Sequence, residues 1–173
     1  MGFDTMDIVL IILFWVFVVP LTTLVHEIGH GIGVVLSTKK RALVILGPAD
    51  SSNQKTFSIG RMDFHIKWAY FGFCSVGDDQ RLTAFQRIVI AAGGPIVSLL
   101  VALVSFIFLF LDLHHEIKNL LTAIVIFNLW QFICTAIPIV YPSWWRPYSG
   151  MPADGHRVVK AWKDYKLEKK ARP

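Results

Sequence analysis

The stretch LTTLVHEIGHGIGV, residues 21–34, lies at the end of a long apolar run and decides how the chain can fold. Two histidines and a glutamate stand within five residues of one another, in a segment that is otherwise suited to cross a membrane. Each ionisable group inside a bilayer costs roughly 3 kcal/mol on insertion scales, so such groups generally mark a functional site. We therefore interpret this stretch as the functional centre of a membrane-spanning helix.

Three long apolar segments account for a hydrophobic content of 54% and a mean hydropathy of +0.54. Because a spanning helix needs roughly 20 apolar residues, we predict transmembrane helices at about residues 8–37, 84–111 and 119–140. The leader before the first segment has two acids and no base, unlike the basic start of a cleaved signal peptide. We expect the first helix to be retained.

Lysine and arginine are distributed unevenly around these segments. Eight lie between residues 38 and 87 and eight from residue 141 to the end, whereas the loop 112–118 has one and the leader none. Basic loops stay on the cytoplasmic side. We expect a multi-pass protein of the cell membrane with its N-terminus outside and its C-terminus in the cytoplasm. The net charge of +5 then favours contact with anionic lipid in the bilayer, and no nucleic acid is expected as a partner.

The middle segment, residues 39–79, has the pattern of short strands. RALVILG, KTFSIG, MDFHIKW and YFGFCSV are rich in β-branched and aromatic residues, and Gly, Pro, Asn and Ser separate them. We predict a small sheet, or a pair of β-hairpins, as a cytoplasmic insertion between the first two spans.

Residues 138–153, here called the aromatic loop, contain four prolines together with tryptophan and tyrosine. Proline removes backbone donors, so we predict an irregular loop near the cytoplasmic boundary. The tail, residues 154–170, has the spacing of an amphipathic interfacial helix. The predicted fold class is an α-helical integral membrane protein, a single domain over residues 1–173, with three transmembrane helices, a β insertion and an amphipathic tail.

The motif His26-Glu27-Ile28-Gly29-His30 has the spacing H-E-x-x-H. On a helix, residues i and i+4 are neighbours about 5–6 Å apart, so both imidazoles could bind one zinc ion. Glu27 then lies near the open coordination position, where it can take a proton from water and pass it to a leaving amine. The alternative is that the histidines only hydrogen-bond to neighbouring helices. We predict a zinc site in which Glu27 is the catalytic base.

A catalytic zinc ion needs a third protein ligand and keeps a fourth position for water. The predicted orientation puts His114 and His115 on the outer side, out of reach. His65, His156 and Asp154 are on the correct side. Since Asp-Gly is also typical of a turn or a helix N-cap, the residues by themselves leave the choice open.

The order of further short motifs resembles the site-2 protease family of intramembrane zinc metallopeptidases. AAGGPIVSLL, residues 91–100, is similar to the Gly-Pro segment that this family carries in its next helix. FNL, residues 127–129, resembles the family's Asn segment, and MPADGHRV, residues 151–158, resembles its P-x-x-D-G-x-R segment. The likeness touches all three predicted spans in order.

The resemblance implies that Asp154 is the third zinc ligand, and that Asn128 and the segment Gly93, Gly94 and Pro95 contribute to substrate binding. Close packing of helices explains the Gly-Pro segment equally well, and hydrogen bonding between helices is the expected alternative role for Asn128 and Gln131. The sequence departs from the family in spacing, because 25 residues separate Asn128 from Asp154. No regulatory domain is recognisable, so we expect a minimal core.

We therefore predict a zinc endopeptidase that hydrolyses a transmembrane or membrane-adjacent peptide near the cytoplasmic face. A strand edge of the insertion would bind the extended peptide, as the resemblance also implies. Two other functions would use the same metal site: an inactive metal-binding membrane regulator and a zinc transporter. A regulator that only binds metal does not require the Glu27 carboxylate. A transporter would require more polar residues in the second and third spans than Asn128 and Gln131. A homo-oligomer or a partner membrane subunit is a further expectation.

Overall fold

The computed structural model describes residues 5–77 and 82–170. Three helices, Thr5–Ser37, Ala84–Phe108 and His115–Ala136, are long and apolar enough to cross a membrane. Residues 78 and 79, which end the predicted insertion, and both ends of the predicted domain lie outside the described residues. The elements are α1 (Thr5–Leu13), a π-helical segment (Phe14–Val18), α2 (Val19–Ser37), β1 (Ala42–Leu46), β2 (Lys55–Ile59), β3 (Met62–Ile66), β4 (Gly72–Val76), α3 (Ala84–Phe108), α4 (His115–Ala136) and α5 (Asp154–Lys170).

The first long helix contains a π-helical segment just before Pro20. Because proline has no N–H, Pro20 cannot donate to the carbonyl of Val16 four residues earlier. The indole N–H of Trp68 donates to this carbonyl instead, at 2.7 Å. The sequence did not predict the π-helical turn. The bond attaches the segment between β3 and β4 to the first helix.

The insertion forms one four-stranded sheet in the order β2-β3-β1-β4. β1 is parallel to β3 and antiparallel to β4, and β2 and β3 form a hairpin around Gly60, which has φ +55°. The predicted small sheet is confirmed, and the alternative of two separate hairpins is wrong because β1 pairs with two strands at once. Val44 and Leu46 are fully buried where β1 packs against α2.

The second and third long helices end earlier than predicted. α3 begins with a capping box between Thr83 and Gln86 and ends at Phe108, after which residues 109–111 form tight turns. α4 ends at Ala136, whereas the predicted span continued to residue 140. Ile137 is extended, as the residue before a proline prefers, and Pro138 cannot continue the helix.

Helix α3 is the centre of the helical part, because α2, α4 and α5 all pack against it. Arg87 of α3 forms an ion pair with Asp164 of α5 at 2.9 Å. The predicted amphipathic tail is a helix whose Ala161 is buried, whereas Trp162 is half-exposed. This packing brings the start of α5 to α2.

The closest helix contact joins the glycines of α2 to α3. A Cβ at Gly33 would lie 2.9 Å from the Ile90 Cα, and a Cβ at Gly29 would lie 2.5 Å from the carbonyl oxygen of Gly93. Small residues at these positions allow the two backbones to touch. The contact fixes the distance between the histidine motif and α3.

Gly33→Ala is expected to destabilise the protein, although alanine is the better helix former by about 1 kcal/mol. The reason is the new contact with the Ile90 backbone, which can be relieved only if the helices separate. Thermal unfolding in detergent should give a lower Tm for Gly33→Ala than for Gly31→Ala, whose Cβ would meet side chains and no backbone: the Met62 sulfur and Val44 Cγ2, each at 3.0 Å. An unchanged or higher Tm for Gly33→Ala would contradict the close contact.

Candidate metal centre

His26 and His30 occupy successive turns of α2 and point towards the first residue of α5. The Nε2 atoms of His26 and His30 lie 3.4 Å and 3.3 Å from the same Asp154 oxygen, Oδ2. One ligand atom from each of the three side chains lies within 4.8 Å of the other two. The helical spacing accounts for the pair of imidazoles, and the α3–α5 packing brings the carboxylate to them.

The long link between α4 and Asp154 folds back on itself. Ala153 N–H donates to the Ile139 carbonyl at 3.0 Å, and Tyr141 N–H donates to the Met151 carbonyl at 2.9 Å. The two ends of the aromatic loop therefore form a narrow antiparallel ribbon. Beyond it, Gly155 packs against the last carbonyl of α4, where a side chain would not fit. The 25 intervening residues thus leave Asp154 next to the end of α4.

The two imidazoles are oriented through their other nitrogens. His30 Nδ1 lies 2.7 Å from the Ile90 carbonyl, and His26 Nδ1 lies 2.8 Å from the Ser98 hydroxyl. Ser98 in turn donates to Gln131 at 3.4 Å, which leaves its oxygen free to accept from His26. A carbonyl only accepts, so the 2.7 Å contact requires a proton on His30 Nδ1, and the longer 3.3 Å approach of the Gly94 N–H to the same atom is then not a hydrogen bond. Both Nε2 atoms then present lone pairs towards Asp154, as metal-binding histidines do.

The charge of the site also suits a divalent cation. Burial disfavours the charged form of Asp154, but when the two imidazoles carry protons at Nε2 their hydrogen bonds outweigh burial and hold the pKa of this carboxyl below its usual range. A metal ion would take the place of those protons. Glu27, a second carboxyl group, is buried close by. Arg157 Nη1 is 4.0 Å from Asp154 Oδ1. Two buried carboxylates are costly unless cations balance them, and a divalent ion would do so.

Gly94 leaves space at the imidazole nitrogens. A Cβ at this position would lie 2.6 Å from His26 Nε2 and would also collide with His30 Nε2. Two histidines, one carboxylate and an unobstructed approach are the donor set of a catalytic zinc site with an open position. The residues of this chain therefore fit the ion that the motif predicts.

A cavity of about 670 Å³ lies beside this group. It extends between α2, the sheet and α4, and the aromatic loop covers part of it. Glu27 lines the cavity, and its Cγ is so close to β4 that a Cβ at Gly72 would lie 2.7 Å away. Other lining side chains come from each wall: Thr23, Cys74, Trp130, Gln131, Tyr148 and Arg157.

The other candidate ligands lie elsewhere. His65 Nδ1 is within 2.7 Å of the Asn53 carbonyl on the far side of the sheet, and the exposed His114 and His115 are at the start of α4. His156 is in the first turn of α5 but is not part of the group formed by His26, His30 and Asp154. Within the described residues, Asp154 is the candidate that the fold brings to the histidines.

The four residues suggested for substrate binding are not among the lining residues of the cavity. Gly93 faces Gly29, Gly94 faces the imidazoles, and Pro95 is buried inside α3. Asn128 is the buried residue of α4; its amide donates to the Ile124 carbonyl of its own helix, and its Oδ1 has no partner in the described structure. Their role in substrate binding stays a prediction.

The sequence interpretation missed Ser98, Gly72 and Tyr148. Ser98 lies one turn after Gly94, so its helical spacing could have indicated that both face the histidines. Gly72 and Tyr148 are 76 positions apart, and no local pattern connects them. Of the two polar residues expected to bond between helices, Gln131 accepts from Ser98 of α3, whereas Asn128 donates within its own helix.

His26, Glu27 and His30 lie on a helix long enough to span a bilayer, and Asp154 at the start of α5 completes a donor set typical of a metallopeptidase centre. The family model of peptidase family M50 matches residues 12–161, which is most of the chain. The chain therefore belongs to peptidase family M50, the site-2 protease family. Comparison with curated proteins and with solved structures gave no significant match.

Ser98→Ala is expected to weaken zinc binding by about 10- to 100-fold, because a histidine that loses its orienting partner becomes a poorer ligand. Competition with a chromogenic chelator would measure the affinity. The matched control is Ser105→Ala, which removes a hydroxyl from another buried serine of α3. Equal affinities for the two variants would show that Ser98 does not orient His26.

Proposed function

We propose that this protein is an intramembrane zinc endopeptidase that hydrolyses a peptide bond of a transmembrane or membrane-adjacent substrate. Peptidase family M50 consists of intramembrane metallopeptidases. The observation that carries the proposal for this chain is the convergence of His26, His30 and Asp154 on one point, with Glu27 lining the adjacent cavity. A regulator that only binds metal would not require that carboxylate.

The surface of the long helices supports a position in the membrane. Large apolar side chains are about half-exposed on their outer faces, which suits contact with lipid. Together with the basic loops, this favours the cell membrane, with the N-terminus outside and the C-terminus in the cytoplasm. Exposed examples are Ile12, Phe17, Leu103, Ile107 and Ile126.

His26, His30 and Asp154 would hold the zinc ion, and Ser98 and the Ile90 carbonyl would keep the imidazoles in position. Bound zinc supplies a Lewis acid that polarises the substrate carbonyl and lowers the pKa of water to about 7. Glu27 takes the proton of the attacking water and then gives it to the leaving amine. Burial of Glu27 beside the cavity suits this role, because the group can reach the reacting atoms without competing bulk water.

The substrate is expected to bind as an extended chain along β4. β4 is the last strand of the sheet, and Gly72 of this strand lies against Glu27. Main-chain hydrogen bonds to a sheet edge provide affinity for any extended peptide. A substrate helix must unwind locally, since its carbonyls are otherwise bonded within the helix. The polar side chains of the cavity would admit the water that hydrolysis consumes.

Asp154→Asn is expected to reduce bound zinc from stoichiometric to near zero, because the substitution removes the anionic ligand between the two imidazoles. Metal analysis of the protein purified in detergent would measure this. Asp164→Asn, in the same helix but paired with Arg87, is the matched control and should retain its zinc. Unchanged zinc content and affinity in Asp154→Asn would overturn the ligand assignment.

Glu27→Gln is expected to lower the rate of peptide cleavage by about 100- to 10,000-fold through the loss of the general base. Zinc content should stay unchanged, since Glu27 is not one of the three ligands. Co-expression with candidate single-span proteins, followed by detection of cleaved fragments, would measure activity. Glu116→Gln, at the exposed start of α4, is the control. Undiminished cleavage of a confirmed substrate by Glu27→Gln would refute the mechanism.

A further inference from the structure

The strand beside Glu27 has one free edge. Gly77 N–H donates to the Arg41 carbonyl, and the Phe71 carbonyl accepts from Gly47 N–H, so these positions of the β4 segment bond to β1. Hydrogen bonding in an antiparallel pair alternates along each strand. The backbone groups of Gly72, Cys74 and Val76 therefore point away from β1, towards the side on which no further strand pairs in the described structure.

Tyr148 occupies the first position of this edge. Its hydroxyl accepts from Gly72 N–H at 3.1 Å and donates to the Gly72 carbonyl at 3.2 Å. One hydroxyl thus satisfies the donor and the acceptor that an added β-strand would satisfy. Burial raises the pKa of this hydroxyl, and the nearby Glu27 charge raises it further, so the group remains protonated and able to donate.

The aromatic loop that carries Tyr148 is paired with itself at its base and contacts the sheet through Tyr148. The base is the antiparallel ribbon between residues 139–141 and 151–153, which includes a bridge between Val140 and Pro152. The tip is held to the sheet by the two hydrogen bonds of Tyr148 and by an edge contact with Phe73, whose ring centroid is 5.5 Å away. Release of Tyr148 would therefore free the edge and leave Asp154, beyond the base, in position.

We infer that Tyr148 holds the aromatic loop closed over the peptide-binding edge of β4, and that an extended substrate must displace its hydroxyl from Gly72. The inference rests on the proposed function, because it assigns Gly72 to the substrate backbone. Gly72 is the position on this edge that contacts Glu27, so a chain paired there lies beside the catalytic base. Tyr148 is thus a residue that limits access to the site without taking part in the reaction.

Tyr148→Phe tests the inference because it retains the ring and removes only the hydroxyl. Tyr141→Phe is the matched control: it removes the same atom from the same loop, where the partner is the Cys134 carbonyl at 3.3 Å. Hydrogen-exchange NMR on glycine-labelled protein should show faster exchange of the Gly72 amide in Tyr148→Phe and no change in Tyr141→Phe. Equal protection of this amide in both variants would overturn the inference, and the result does not depend on any cleavage.

Peptide binding provides the second test. A fluorescent octapeptide of alternating valine and threonine should bind zinc-loaded Glu27→Gln/Tyr148→Phe about fivefold more tightly than Glu27→Gln alone. The reason is that the aromatic loop covers the edge of β4 in a smaller fraction of the molecules. Weaker or equal binding, or no binding by the double variant, would contradict the inference. Failure of the proposed function would be recognised by a different measurement. Cleavage would then survive Glu27→Gln, whatever the exchange rate of the Gly72 amide.

Discussion

The constraint on which the structure depends is the burial of two imidazoles and a carboxylate at one point, with a second carboxyl group beside them. Removing an ion from water costs several kcal/mol, so such groups persist only when partners orient and neutralise them. The residues around the site provide this orientation and the space for a neutralising ion. Ser98 and the Ile90 carbonyl hold the imidazoles, Gly94 leaves their nitrogens open, and the glycines of α2 bring α3 close enough for these contacts. The packing of α2, α4 and α5 on α3 therefore determines where Asp154 lies relative to the histidines.

Features that depend on neighbouring residues were predictable from the sequence. The H-E-x-x-H spacing places His26 and His30 on one helical face, and runs of β-branched and aromatic residues separated by Gly, Pro, Asn and Ser identified all four strands. Helix ends were less accurate: the effect of Pro138 on the end of α4 was underestimated, and the turns after Phe108 leave no strong signal. The order of strands also escaped the analysis, because the pairing of β1 with β3 in parallel is decided by packing on α2.

Contacts between distant segments could not be predicted from one sequence. Which serine of α3 meets His26 depends on the rotation of that helix, and the bond between Tyr148 and Gly72 depends on the path of the aromatic loop. The 25 residues between Asn128 and Asp154 are an example of such a non-local contact. This spacing departs from the family pattern, but the paired ends of the aromatic loop accommodate the extra residues and keep α5 beside α4.

The bond between Trp68 and the Val16 carbonyl has a consequence for how deep the sheet lies. Val16 precedes His26 by ten residues, which is about 15 Å along a helix at 1.5 Å per residue. Met62 meets α2 near Gly31 at the other end, so the sheet and the segment that carries Trp68 run alongside the first helix. In a bilayer, backbone outside helices is tolerated only when protein buries it or water reaches it. For a first helix that spans a bilayer, as proposed above, the sheet and the cavity beside it would therefore need protein or water around their backbone over that length of the helix.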